Sequence, residues 1–220
     1  MKNKRYKKLI IDYIKKNRVS TTEVADCLNK TGAILNVRAV SRSHFRVGTL
    51  FWGYAHGETN WSVHEQIQNV KEGDIVFIEV FDCKDRAIFG DLVSKYLILY
   101  KQAAAIVVQG NLRDAHRLVK ENWPIWCSGF SPIGCFNTIP DDDLDSNIIK
   151  ERKKKYQGAI AICDDSGVVV ISKEHHNEEF LKKLEFIEQQ EDIWYDCIDR
   201  KKWSTYETVC LKNYLKKKSK

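Results

Sequence analysis

The 220-residue sequence contains no apolar run approaching the roughly 18 residues that a membrane-spanning helix needs. Its N-terminus, MKNKRYKKLIIDYIKKNR, offers only Leu9-Ile10-Ile11 as an apolar stretch before Asp12 interrupts it, too little for the h-region of a secretory signal. These absences predict a soluble, cytoplasmic chain. There is no CxxC, no histidine at zinc-finger spacing, and the cysteine count of seven is odd, so neither a disulfide framework nor a structural zinc is indicated. Buried reduced thiols are expected instead. Internal repeats are missing, as are low-complexity segments other than the basic ends.

Positive charge is also missing where a nucleic-acid-binding fold would carry it. The net charge is +6, yet residues 1–18 hold +7 and residues 212–220 hold +5, which leaves residues 19–211 at −6. A basic patch interleaved with aromatics normally lies on the body of such a fold, so no direct nucleic-acid contact is expected. The ends read as solvated segments, with a tail-mediated contact to RNA or an acidic partner as the alternative. What is present is 43% hydrophobic and 30% charged residues, the balance of one globular domain. We place it at 19–215, between a basic segment at 1–18 and a basic tail at 216–220.

Ser20-Thr21-Thr22-Glu23 has the form of a capping box and predicts a helix over 21–30, ended by Gly32. VGTLFWGYA (47–55) predicts a strand and SVHEQIQNV (62–70) a helix. Alternation follows: strand 75–81, helix 91–102, strand 104–109, helix 115–122 and strand 125–128. Strands separated by helices imply parallel βαβ units. An acidic loop follows Pro140, a hairpin occupies 158–172, and a long helix spans roughly 174–199.

The stretch GDLVSKYLILYKQAAAIVVQGNLRD (90–114) places Gly90-Asp91 after one predicted strand and Arg113-Asp114 after the next. In parallel βαβ units ligands bind beyond the carboxyl ends of the strands, so the two junctions should share a pocket. Arg113 offers a planar fork for a carboxylate, and Asp114 a hard oxygen ligand for Mg²⁺. The competing reading is that Arg113 and Asp114 merely cap helix 115–122.

In its order of motifs the chain resembles the RraA-like proteins (regulator of ribonuclease activity A), relatives of the 4-hydroxy-4-methyl-2-oxoglutarate/4-carboxy-4-hydroxy-2-oxoadipate aldolases. The resemblance runs through VSTTEVADCLNKTG (19–32), VGTLFWG (47–53), VKEGDIVFIEV (70–80), Gly90-Asp91, AAAIVVQG (103–110), Arg113-Asp114, PIWCSGFSP (124–132) and GAIAICDDSGVVVIS (158–172). It implies an α/β fold like the swivelling phosphohistidine domains, with a layered β/β/α core, assembled as a homotrimer or dimer of trimers. It also implies a Mg²⁺- or Mn²⁺-dependent pyruvate lyase. Asp114 would hold the metal, and Asp91 would reach it through water. Arg113 would clamp pyruvate together with backbone amides of the Gly90, Asp91, Leu92 and Val93 turn. Glu191 would contribute from a neighbouring subunit. The resemblance equally admits a non-catalytic trimer that binds a ribonuclease or RNA helicase, or an enzyme acting on a sugar acid.

Two departures stand out. Twenty-one residues separate Asp91 from Arg113 where the family usually has one fewer, so the intervening helix or loop must absorb an insertion. Arg117 stands where aldolase members place an acid. That puts aldol cleavage in question, while decarboxylation of a 2-oxo diacid such as oxaloacetate needs only enolate stabilisation.

Other candidates are weaker. DDDLDSN (141–147) resembles a calcium loop but has Ser146 at the sixth position and Arg152 at the twelfth, so it reads as a solvated acidic loop. His175-His176 should be exposed at the start of the last helix. His116 is a possible acid/base, and Phe180, Leu184 and Ile187 form a docking stripe on the long helix.

Overall fold

A computed structural model describes residues 2–216 of the chain. Of the basic tail at 216–220, only Lys216 is among them. Four central strands, β2 (Arg46–His56), β3 (Asp74–Phe81), β4 (Ala105–Leu112) and β5 (Ile125–Phe130), pair in parallel in the order 2-3-4-5. Each crossover carries a helix: α3 (Trp61–Gln66), α4 (Asp91–Lys95) and α5 (Ala115–Glu121). The expected βαβ units are therefore present. Strands β6 (Ile160–Asp164) and β7 (Gly167–Ile171) form the expected hairpin, which joins β2 antiparallel through Arg46–Thr49.

The sequence reading did not include β1 (Arg38–Ala39), which pairs antiparallel with β5 at the other edge. Just before it, Ala33 bridges to Val169 on β7. Residues 33–39 thus touch both edges, and the seven-stranded sheet curls into a nearly closed barrel. The Trp126 indole on β5 reaches across to donate to the Asp164 carbonyl at 2.8 Å. The β layers implied by the resemblance are consequently not separate sheets.

Strand periodicity sorts the core. Leu50, Trp52, Phe77, Val107 and Trp126 fill the barrel, while Phe51, Val76, Ile78, Ile106 and Val108 face α3, α4 and α5. A third cluster lies under α1 (Lys2–Asn17), α2 (Thr21–Cys27) and α7 (Glu178–Asp199).

Several expected boundaries move. The 1–18 segment is not a solvated tail: residues 2–17 form α1, with Ile10 and Ile14 fully buried. The acidic loop feeds a helix absent from the sequence reading, α6 (Ser146–Tyr156), whose N-terminus is capped by the Asp145 carboxylate accepting from Asn147 N–H at 2.7 Å. Within the 91–102 helix, α4 widens into a π-helical turn at Tyr96–Tyr100, with Lys101 N–H bonded to the Tyr96 carbonyl at 3.0 Å. An i→i+5 turn winds in one extra residue. Such a turn, like the register shift between Val108 and Asn111 in the same interval, has room for the extra residue between Asp91 and Arg113.

The last helix begins at Glu178, capped by Asn177, so His175 and His176 precede it. His176 is buried rather than exposed. Burial, followed by the nearby charge of Lys7, lowers its pKa to about 4, and its Nε2 has no hydrogen-bond partner. Between that value and the ordinary 6.5, the unfolded chain binds the proton and the folded one does not. Stability should therefore be complete above about pH 6.5 and fall as pH drops towards 4. The loss should be on the order of 3 kcal/mol. Urea titrations across this range should show that component of the slope in the wild type and lack it in His176→Gln; equal slopes would refute the assignment.

Candidate functional site

The carboxyl ends of β2, β3 and β4 open on one edge of the sheet, and the residues that follow them enclose a pocket of about 270 Å³. Gly90 and Asp91 come from the segment after β3, Arg113 and Asp114 directly follow β4, Asn60 is the N-cap of α3 and His64 lies within it. Asn137, after β5, completes the wall. The sequence expectation that the two junctions meet is correct. Strand β4 itself runs further than expected, to Leu112, because Asn111 and Leu112 pair with Gly129 and Phe130 beyond a register shift. Gly110 is thus within the strand, where a Cβ would lie 2.6 Å from Val80.

Asp114 adopts a left-handed conformation, φ 59° and ψ 34°, uncommon for a residue with a side chain. It stands at the N-cap position of α5, yet its carboxylate makes no capping hydrogen bond. Instead Oδ2 accepts the Asp91 backbone N–H at 3.2 Å. The helix-capping reading of this pair is therefore incorrect: the backbone turn aims the carboxylate across at the Gly90-Asp91 junction. Gly90 is required there, because a Cβ would sit 1.9 Å from Asp114 Oδ2 and 2.8 Å from Arg113 Cγ. The Arg113 Nε is 3.7 Å from Asp114 Oδ2, and Gly134 packs so closely that a Cβ would lie 2.8 Å from Arg113 Nη1.

Asp91 has a partner the sequence did not suggest. Its Oδ2 accepts from Arg117 Nη1 at 2.6 Å. That guanidinium, ahead of the other contacts, holds the Asp91 carboxyl below the usual carboxylate range. The arginine that replaces the family acid thus occupies the carboxylate expected to act through water. His116 is exposed on α5 and is not a wall of this pocket. Glu191 likewise does not line the pocket of its own chain; burial raises its pKa, as do Glu23 and Asp26 on α2.

Asn60 and His64 were missed. Asn60 is buried, donates from Nδ2 to the Ile88 carbonyl at 2.8 Å, and keeps an unpartnered Oδ1. The rule that found the other two junctions also applies to the residues after β2, and would have pointed to both side chains.

A hard divalent cation takes carboxylate oxygens and keeps several waters. The Asp114 and Asp91 side chains, 37% and 27% exposed, leave room for such waters. Among the described residues there is no cluster of three or more His, Cys, Asp or Glu side chains able to hold a metal. The donor set therefore fits Mg²⁺ or Mn²⁺ only in a minimal form, with one protein carboxylate and waters. Also among the described residues, no helix is long and apolar enough to cross a membrane.

Solved structures share this architecture. An uncharacterized protein from Pseudomonas syringae pv. tomato superposes with a TM-score of 0.68 at 18% identity, covering 91% of this chain and 96% of the other. A member of the RNase ES inhibitor RraA protein family from Streptomyces coelicolor gives 0.66 at 20% identity, covering 83% and 94%. The RNA-processing inhibitor RraA from Thermus thermophilis gives 0.53 at 16%, covering 69% and 91%. At these identities the likeness establishes the fold alone. The RraA-like family model, described as Aldolase/RraA, matches residues 21–170, which include every strand and the whole Gly90–Asp114 pocket except the end of β7. The chain therefore belongs to the RraA-like family.

Proposed function

We propose that this protein is a divalent-metal-dependent lyase that breaks a carbon–carbon bond in a small 2-oxo acid, releasing pyruvate from a diacid such as oxaloacetate. The observation that carries the reading is the left-handed Asp114, whose carboxylate leaves its own helix to face the Gly90-Asp91 turn. Twelve other non-glycine residues among those described also have positive φ, so the direction of the carboxylate rather than backbone strain supports the reading. Arg113 would grip the substrate carboxylate with its planar fork, and first-turn N–H groups of Leu92 and Val93 would add hydrogen bonds. A Mg²⁺ or Mn²⁺ ion on Asp114 would supply the Lewis acidity that stabilises an enolate. Asn60 would accept, through its unpartnered oxygen, a hydrogen bond from a substrate hydroxyl such as that of a 4-hydroxy-2-oxo diacid. His64, in the pocket wall, would return a proton to the enolate carbon.

Assembly as a homotrimer is part of the same reading. Leu92, Leu99 and Tyr100 are 77%, 52% and 72% exposed beside the pocket, an apolar face suited to a second subunit. Glu191 would act, if at all, on a neighbour's pocket.

The Arg117–Asp91 pair favours a second reading, a non-catalytic trimer that binds a ribonuclease or RNA helicase. Turnover decides. Purified protein with Mg²⁺ or Mn²⁺ should release pyruvate from oxaloacetate or a 4-hydroxy-2-oxo diacid, and chelation should stop it. Gly90→Ala should melt within a few degrees of the wild type yet lose on the order of 100-fold in turnover, as expected when a reacting geometry shifts by about 1 Å. Absence of turnover with every 2-oxo acid, together with stoichiometric co-purification of a ribonuclease, would establish the regulator instead.

A further inference from the structure

His64 is carried to the pocket by a helix whose two ends are fastened by side-chain amides. At the start of α3, Asn60 Nδ2 donates to the Ile88 carbonyl at 2.8 Å. At its end, Gln66 Oε1 accepts the Tyr54 N–H at 3.0 Å, and Nε2 donates to the Tyr54 carbonyl at 3.2 Å. His64 lies between these anchors.

The Gln66 amide meets an edge of β2 that β6 leaves uncovered. Pairing between the two strands ends at Thr49 and Ile160, and the last backbone bonds to this edge join Leu50 to Ala159 and Gly158. Alternate residues of a strand turn their N–H and C=O to the same side, so Trp52 and Tyr54 present theirs beyond that point. Side chains take the place of a strand there: Gln157 Oε1 accepts the Trp52 N–H at 2.9 Å, and Gln66 engages both backbone groups of Tyr54. A primary amide can accept and donate at once, so Gln66 pairs with Tyr54 as a residue of a neighbouring strand would. Gly53 leaves the space, since a Cβ there would lie 3.0 Å from Gln66 Oε1.

We propose that Gln66 is a positioning residue: its amide locks α3 to the edge of β2 and thereby fixes His64 in the pocket. Val63 and Ile67 already bury the underside of the helix in the core. Burial of that kind is non-directional and tolerates small shifts. A hydrogen bond weakens steeply with misalignment, so the pair at Tyr54 sets both the advance and the rotation of α3. Gln66 itself is not a wall of the pocket; it lines a separate cleft between α3 and α6, with Ile149 and Lys153 opposite. Its effect on His64 therefore passes through the helix. The consequence for turnover rests on the lyase reading above, in which His64 returns the proton.

The test compares the full-length wild type with Gln66→Ala and Gln66→Glu. The alanine variant loses both bonds but keeps Val63 and Ile67 in the core, so it should melt within a few degrees of the wild type. With Mn²⁺ and oxaloacetate its kcat should fall about tenfold while KM stays within about twofold, because a proton donor is displaced and the Arg113 grip is not. The glutamate variant makes the contact switchable. Its carboxylate only accepts, and sets a negative oxygen against the Tyr54 carbonyl, whereas the protonated acid regains one donor. Relative to the wild type at the same pH, its kcat should be about tenfold low at about pH 8 and recover as pH falls to about 5, a limb that lost packing alone would not produce. The Cε1–H resonance of the His64 ring, identified by its absence in His64→Gln, reads the displacement without turnover. Against the wild type it should shift in the alanine variant, and in the glutamate variant at the higher pH but not at the lower. An unshifted resonance, or wild-type kinetics in both variants, overturns the proposal. If the wild type turns over no 2-oxo acid, the lyase reading falls while the resonance still decides whether Gln66 places His64.

Discussion

Asp114→Asn is expected to keep the fold and to lose at least about 100-fold in turnover, comparable to removing one preorganised electrostatic partner. Retention of fold follows from the backbone. Asn is among the few residues that tolerate the left-handed conformation at position 114, and α5 loses no cap because the carboxylate provides none. The amide oxygen can still accept the Asp91 N–H, so the Gly90-Asp91 turn should persist. What disappears is the negative charge facing the pocket, beside Arg113 and able to hold a hard cation. Arg113→Lys should do the reverse: the charge stays, the planar fork goes, and pyruvate binding weakens while Mn²⁺ still binds. Calorimetric titration of Mn²⁺ and of pyruvate into wild type and both variants separates these effects. Binding unchanged in both variants would sink the proposed site, since the pair would then only shape the backbone.

Arg117 engages one of the carboxylates expected at the site, a contact that motif order alone could not reveal. Sequence order located Asp91, Arg113 and Asp114, because loops after parallel strands converge on one edge whatever lies between them. Whether Asp91 is free depends on a guanidinium one helical turn into α5, which reaches back 2.6 Å to its carboxylate. The substitution was visible in the sequence; its partner was not. The strands were legible because β-branched and aromatic runs are bounded by turns, and the 158–172 hairpin because its loop is only Asp165-Ser166. Helix α6 was not, since none of its residues is fully buried and only Ile149 and Tyr156 pack on the core, too short a stripe to read. Its signal was the capping Asp145, concealed in a run of like residues.

Helix α1 was concealed by charge in the same way, and its removal from the core should be the costliest change to stability. Ile10 and Ile14 are four residues apart, on one face of the helix, and both are inaccessible to solvent. They pack in the cluster that holds Val24, Ile160, Ile162, Val169 and Leu184, covering the outer side of the β6–β7 hairpin. Tyr6 and Tyr13 fasten the same helix to α7 through Glu178 and Glu188. Truncating a buried isoleucine to alanine costs about 2–5 kcal/mol, and the two sites share neighbours, so the double variant Ile10→Ala/Ile14→Ala should lose roughly 4–8 kcal/mol. That is a large part of the roughly 5–15 kcal/mol that stabilises an ordinary domain, and the melting temperature should fall by more than about 10 °C. The basic residues make the opposite prediction. Lys4 and Lys8 are exposed near the positive end of the helix dipole, so Lys4→Gln/Lys8→Gln should leave stability unchanged or slightly raised. Thermal melts of both double variants distinguish a folded helix from a solvated basic segment. If the isoleucine variant melts with the wild type, the segment is an appendage; if it melts far below, the family domain at 21–170 depends on a helix that precedes it.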